Sequence, residues 1–294
     1  MQPLPGAGQA RPIVLTDSLP LGIDSVKVAI FDVDGTLARD DSNVSAEMIA
    51  ALRDLAQAGI HVVFASGRMT PSLLKLFERM GEPGYLIACN GAVSMHTVDE
   101  EVVAAAPMSA GQYATALAVG RELGLHITIF GVRDFYAEDD GEWLEGLSGP
   151  NEGRAPVLTP LDTLDPGDRL KVMYHVATER QPEVLPRLRE RFPATVQTLP
   201  EFFELTAPGV NKWSGIQPIL ADLGADPDQV LGAGDSENDL TWLPHVGISV
   251  AMENAYPHVK SACDYEVGHS DDDALAELLQ RWVSQLRAGR DRAV

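Results

Sequence analysis

Val26-Lys27-Val28-Ala29-Ile30-Phe31-Asp32-Val33-Asp34-Gly35-Thr36 decides the fold, because a largely apolar run ends in two carboxylates two residues apart. Such a run predicts a strand buried on both faces, which places Asp32 and Asp34 at its carboxyl end. Open α/β sheets bind their ligands at that end. Gly35 can turn at little steric cost and Thr36 can bond nearby polar groups, so the strand can stop sharply and present both acids. A plain Asx-type turn would use the same residues.

Other apolar runs end the same way. Ile60 to Ala65 leads into Ser66-Gly67-Arg68, Tyr85 to Cys89 into Asn90-Gly91, and Val230 to Ala233 into Gly234-Asp235. Helical patterns with legible ends lie between them: Ser45 to Gly59, Thr70 to Gly81, and Lys212 to Gly224. A last helix is predicted from Ser270 to about Arg287, with Asp271, Asp272 and Asp273 in its first turn. Strand alternating with helix predicts an α/β, doubly wound parallel sheet. Asp32, Ser66, Asn90 and Asp235 would then share one edge of that sheet.

Composition narrows the chemistry. The 294 residues are 45% hydrophobic, enough for a full core and two domains. Lys and Arg total 22 against 43 Asp and Glu, a formal charge of -21. That balance repels nucleic acid and anionic membrane surfaces, so neither is an expected partner, and an anionic substrate needs a local cation or metal. Cys89 and Cys263 are too few for a disulfide framework or a Cys-rich zinc site. No apolar run approaches membrane-spanning length and the first residues lack a signal-peptide pattern, so a cytoplasmic location is expected. Residues 1–24, rich in Pro and Gly, read as a loosely ordered lead-in.

A second acidic group stands at Gly234-Asp235-Ser236-Glu237-Asn238-Asp239. Carboxylates at a strand tip beside another acid pair suit Mg²⁺, a hard ion that takes oxygen ligands, although Asp235 or Ser236 could instead merely cap a following helix. Gly232-Ala233-Gly234 lacks the third glycine of a dinucleotide loop. Ser66-Gly67-Arg68 can bind a phosphoryl oxygen through the hydroxyl and following N–H groups, or be an ordinary turn. Lys212 opens a helix, where a cation is misplaced unless it meets an anion.

Taken in order, Asp-x-Asp-Gly-Thr, Ser-Gly-Arg, a Lys after a long insertion and Gly-Asp-Ser-x-Asn-Asp resemble the haloacid dehalogenase superfamily of phosphohydrolases. The stretch Val246-Gly247-Ile248-Ser249-Val250-Ala251-Met252-Glu253-Asn254-Ala255 is similar to its Cof-type sugar phosphatase branch, with Glu253 where Gly is usual. The resemblance implies a Rossmann-like core from residues 25–91 and 209–294, interrupted at 92–208 by an inserted α+β cap that sets substrate specificity. It implies Asp32 as nucleophile and Asp34 as general acid and base. It further implies Mg²⁺ held by the Asp32 carboxylate, the Asp34 backbone carbonyl and Asp235, with Asn238 and Asp239 in support. Ser66, Gly67 and Lys212 would bind phosphoryl oxygens, with Thr36, Arg68 and Asn90 supporting.

The insertion carries two helix-strand-strand units of its own. Helices are predicted near 109–123 and 179–191, and strands near 126–130, 134–138, 170–176, 195–199 and 202–206, with a Gly/Pro-rich stretch to Pro156. Phe135, Tyr136, Glu142, Trp143 and Arg154 are its candidates for contacting substrate. The expected activity is a Mg²⁺-dependent phosphomonoesterase acting on a small phosphorylated metabolite, foremost a sugar phosphate. A sugar phosphomutase and a phosphate-ligand sensor without catalysis are the alternatives. Oligomeric state is not legible.

Overall fold

Two sheets make up the molecule in the computed structural model, which describes residues 12–144, 147 and 153–291. The larger has nine strands in the order Ile13–Val14, Tyr265–Val267, Ile248–Met252, Val230–Gly234, Val28–Phe31, His61–Ala65, Tyr85–Ala88, Val93–His96, Glu101–Ala105. The first seven pair in parallel, and the last two are joined on by antiparallel pairing. Val28, Ala29, Ile30 and Phe31 are all fully buried, as a central strand covered on both faces requires.

Helices Ala46–Gln57, Thr70–Met80, Lys212–Leu223 and Ala274–Asp291 belong to this core. Ser45 caps the first, its Oγ accepting from Met48 N, and Gly81 and Gly224 end the second and third in the left-handed conformation. The last helix starts later than its sequence predicts. Ser270–Asp272 forms a 3₁₀ turn and Asp273 takes a φ of 53°, because its carboxylate is held by Arg39 and the Ser45 hydroxyl instead of facing a helix N-terminus.

The smaller sheet has six strands in the order Val196–Leu199, Phe202–Thr206, Lys171–His175, His126–Phe130, Phe135–Ala137, Val157–Leu158. All its pairings are antiparallel except the last, an edge addition the sequence does not announce. Helices Ala110–Glu122 and Gln181–Arg191 accompany it, and Ile127, Ile129, Val172 and Tyr174 point into a separate apolar cluster with them. The alternate residues Phe130, Lys171, Met173 and Glu204 line a cavity shared with the core.

Two expectations change. The core does not end at residue 91, since Val93–His96 pairs with Tyr85–Ala88 and carries Glu101–Ala105 beyond it. Nor is the lead-in loose throughout: Leu15 and Ile23 are buried and Ile13–Val14 pairs with Tyr265–Val267. Residues 1–11, and those of the Gly/Pro-rich stretch at 145–146 and 148–152, lie outside the described residues. Among the described residues no helix is long and apolar enough to cross a membrane.

Candidate active site

Parallel pairing brings the predicted residues to one edge. Asp32 leaves Val28–Phe31 with its N–H on the Ala233 carbonyl, while Asp235, Ser66 and Asn90 leave the neighbouring strands. Gly35 turns the chain at φ 79°, where a Cβ would lie 2.5 Å from Asp235 Oδ2. No side chain fits that approach. The Gly35 carbonyl accepts from Asn254 Nδ2 at 2.7 Å, and Glu253 beside it has no left-handed backbone, so glycine is not needed there.

Lys212 is the centre of charge. Its Nζ donates to Asp32 Oδ1 at 2.8 Å and to Asp239 Oδ1 at 2.7 Å, with all three side chains buried. The first helical position puts it there, and the acids resolve its unfavourable place at a helix N-terminus. Asp239 Oδ1 also accepts from Trp242 Nε1, and Oδ2 from the Asp235 and Ser236 backbone N–H groups and the Ser236 hydroxyl. Thr36 donates to Asp235 Oδ1 at 3.1 Å, and Val33 N to Asp32 Oδ1 at 2.7 Å.

These contacts set the protonation balance. Burial, then the neighbouring Asp239 charge, pushes the Asp32 carboxyl well above the ordinary range, with Lys212 opposing. Asp235 is pushed up to about 6, mainly by burial and by Asp239. Burial would raise Asp239 too, but Lys212 and its donors hold it below the ordinary value. Burial works against the Lys212 ammonium, yet Asp239 and Asp32 raise its pKa above the usual lysine value.

Oxygens of Asp32, Asp235 and Asp239 lie within 4.8 Å of one another, a donor set of hard ligands that fits a divalent cation. Asp239 spends both oxygens on five donors, so Asp32 and Asp235 are the carboxylates left to hold a cation, and Asp239 positions them. Both available ligands favour protonation more than an exposed carboxylate does, and a proton competes with the cation. Mg²⁺ affinity measured by calorimetry should therefore weaken about tenfold between about pH 7 and pH 5 from Asp235 alone. Unchanged affinity over that range would remove Asp235 from the ligand set.

The turn expected to receive a phosphoryl group is Ser66-Gly67-Arg68. Ser66 Oγ accepts from Arg68 N at 3.1 Å, and the Arg68 guanidinium grips the Asp34 carboxylate at 2.6 to 3.2 Å. Asp34 thus contributes no carboxylate to the acidic cluster, leaving its backbone carbonyl for the part expected of it. Asn238 Nδ2 donates to Asn90 Oδ1 at 3.2 Å, joining two supporting residues directly.

A cavity of about 1140 Å³ opens here, lined by Asp32, Asp34, Ser66, Gly67, Arg68, Asn90 and Asn238 on one side. Lys212 is not on its wall. It stands behind Asp32, so its first effect is on the nucleophile candidate. The opposite wall corrects the sequence reading, since none of Phe135, Tyr136, Glu142, Trp143 and Arg154 lies on it. Phe135 is buried, Tyr136 donates to Asp168, Trp143 stacks on His126, and Arg154 pairs with Asp134. Phe130, Lys171, Met173, Glu204 and the strand Val196–Leu199 take their place.

Lys171 and Glu204 carry no sequence motif. They form a buried ion pair at 2.9 Å, and Glu204 holds the Lys171 ammonium protonated against the burial that opposes it. The one signal was the presence of ionisable residues in otherwise apolar strands, whose match needs the sheet register.

The haloacid dehalogenase-like hydrolase family model matches residues 29–279. The chain belongs to that family, among its Cof-type phosphohydrolases, and is a phosphatase of that superfamily. HMP-PP phosphatase of Serratia proteamaculans is 28% identical over 273 residues, 87% of this chain and 95% of the relative. The 5-amino-6-(5-phospho-D-ribitylamino)uracil phosphatase YcsE of Bacillus subtilis is 24% identical over 265 residues, 88% of this chain and 96% of the relative. A haloacid dehalogenase-like hydrolase from Bacteroides thetaiotaomicron shares the fold with a TM-score of 0.79 at 24% identity, covering 87% of this chain and 99% of that one.

Proposed function

We propose that the protein is a Mg²⁺-dependent phosphomonoesterase that releases phosphate from a small phosphorylated metabolite through an aspartyl-phosphate. The Asp32–Lys212–Asp239 arrangement carries this reading, because it buries a carboxylate against a fixed cation and turns it toward a cavity. A purely structural ion pair has no need of the second acidic group or of Ser66 alongside.

Asp32 attacks phosphorus, and the ester P–O bond breaks as its own O–P bond forms. Asp34 delivers a proton to the departing oxygen, then takes one from the water that cleaves the acyl phosphate, which returns Asp32 as a carboxylate. Arg68 fixes the Asp34 carboxylate, so proton transfer requires part of that pair to open. Ser66 and the Gly67 N–H receive phosphoryl oxygens, and Lys212 holds Asp32 in place with its attacking oxygen toward the cavity. Mg²⁺ on Asp32 and Asp235, with the Asp34 carbonyl, would neutralise phosphoryl charge.

Relatives with phosphatase names support a small metabolite as substrate, and the likeness of Val246 to Ala255 to the sugar phosphatase branch makes sugar phosphates the first class to test. Gln197 and Thr198 on the cavity wall are the polar groups we assign to leaving-group selection. Phosphate release from a metabolite panel, with and without chelator, tests the whole reading. Chelation should stop turnover and Mg²⁺ restore it. Asp235→Ala should weaken Mg²⁺ activation far more than Ser236→Ala, since Ser236 bonds Asn238 and Asp239 instead of offering a carboxylate. Full activity after verified metal removal would overturn the metal assignment.

A further inference from the structure

Lys171 lies on the small sheet yet donates to a carbonyl of the core, Gly67 O, at 3.1 Å. Its ammonium also meets Glu204 at 2.9 Å and the face of Phe130, 4.3 Å from the ring centroid. Three donors have three acceptors, and the side chain is 4% exposed. Glu204 is satisfied too, one oxygen on Lys171 and the other accepting from Asn90 Nδ2. Asn90 Oδ1 in turn accepts from Asn238 Nδ2. The pair therefore touches the phosphoryl-binding turn through Gly67 and the acidic loop through Asn90 and Asn238.

Such a pair is poorly explained as a stabiliser, since taking two charges out of water costs about what their attraction returns. It is poorly explained as a substrate contact as well, because the Lys171 hydrogens and both Glu204 oxygens are already engaged by protein groups. Its links run instead to backbone and side chains that carry the reaction. Cys89 and Asn90 take φ values of 50° and 56°, a region asparagine enters readily and cysteine seldom does, and Glu204 grips Asn90 beside it.

Resting on the phosphatase reading above, we propose that Lys171 and Glu204 are positioning residues: a cap-borne latch that sets the Ser66–Gly67 turn and the Asn90–Asn238 pair when the cap sits over the cavity. The latch acts on the group every substrate shares, the phosphoryl, and not on the leaving group. Its removal must then slow all substrates alike.

The test is the full-length Lys171→Met/Glu204→Met protein, which replaces the pair by apolar side chains and leaves no buried charge alone. Thermal unfolding should be close to that of the wild type. Steady-state kcat/KM should fall about 10- to 100-fold, by a similar factor across substrates with unlike leaving groups, as misplacement of a binding turn would cause. Inorganic phosphate, titrated by calorimetry, should bind about tenfold more weakly, since the same turn receives it. Losses that differ by more than tenfold among leaving groups would make the pair a specificity determinant and overturn the proposal. Unchanged kinetics and phosphate binding would reduce it to packing. If the double variant does not fold, Glu204→Gln keeps shape and the Asn90 contact while loosening Lys171, and a smaller uniform loss is expected; wild-type values there would equally sink the latch. A wild-type protein that binds phosphate but hydrolyses no phosphomonoester would refute the phosphatase reading, while phosphate affinity in the variants would still judge the latch.

Discussion

Asp32→Asn should abolish turnover while leaving the molecule folded, with a loss of about 10⁴-fold or more in kcat, the scale on which removal of a nucleophile acts. The amide can still accept from Lys212 and Val33 at the positions Asp32 Oδ1 now occupies. What it cannot do is attack phosphorus. Stability should move the other way. A carboxyl whose folded pKa lies above its unfolded value binds more protons in the folded state, so its ionisation lowers stability as pH rises toward the folded pKa. Removing that charge should leave the metal-free variant at least as stable as the wild type near pH 7. Thermal unfolding together with single-turnover phosphate release checks both halves. A folded Asp32→Asn protein with wild-type activity would transfer the nucleophile to another group.

The core was legible because its strands are buried on both faces and its chemistry sits where they stop. Asp32, Ser66, Asn90 and Asp235 each follow an apolar run, and parallel pairing aligns those ends whatever the details of the loops. The hairpin of Val93–His96 and Glu101–Ala105 falls within the 92–208 span read as the insertion, and a short antiparallel pair can extend either of two sheets. Ile13–Val14 has two residues, both exposed, too short a strand to be read from its pattern. The Asp273 turn depends on Arg39 and Ser45, more than two hundred residues away.

Contacts across the cavity were less legible than the core for one physical reason. The aromatic residues expected to contact substrate, Phe135, Tyr136 and Trp143, pack or bond within the small sheet and its turns: Phe135 is buried against Phe130, Tyr136 donates to Asp168, and the Trp143 ring stacks on His126. The face that looks at the core is fixed by strand register, which turns Phe130, Lys171, Met173 and Glu204 one way and Ile129, Val172 and Tyr174 the other. A lysine within Leu170-Lys171-Val172 and a glutamate 33 residues later acquire meaning only once those strands are side by side.

Lys212→Met should damage both activity and stability, and the pH dependence of the damage separates it from a general packing defect. Lys212 is fully buried and holds Asp32 and Asp239, so its loss leaves two inward carboxylates without their cation. Breaking a buried pair in this way costs about 3–5 kcal/mol, more than the shape change of a methionine would. In the wild type Asp239 is held below its unfolded pKa, so it stabilises the fold above the ordinary carboxylate range and loses that contribution as pH falls through the depressed folded value. Without Lys212 the balance shifts. Burial, opposed at Asp239 only by the Trp242, Asp235 and Ser236 donors, lifts Asp239 from its depressed value alongside Asp32, the folded state takes up more protons than the wild type does, and the variant should recover stability relative to the wild type as the solution is acidified from about pH 7 toward pH 5. Turnover should fall about 10³-fold or more, because Asp32 is no longer oriented by a fixed cation and the developing charge has lost its preorganised neighbour. Urea unfolding at several pH values, with and without Mg²⁺, provides the measurement. A deficit that stays constant from pH 7 to pH 5 would mean that the cost is steric, and that Lys212 does not govern the charge of the site.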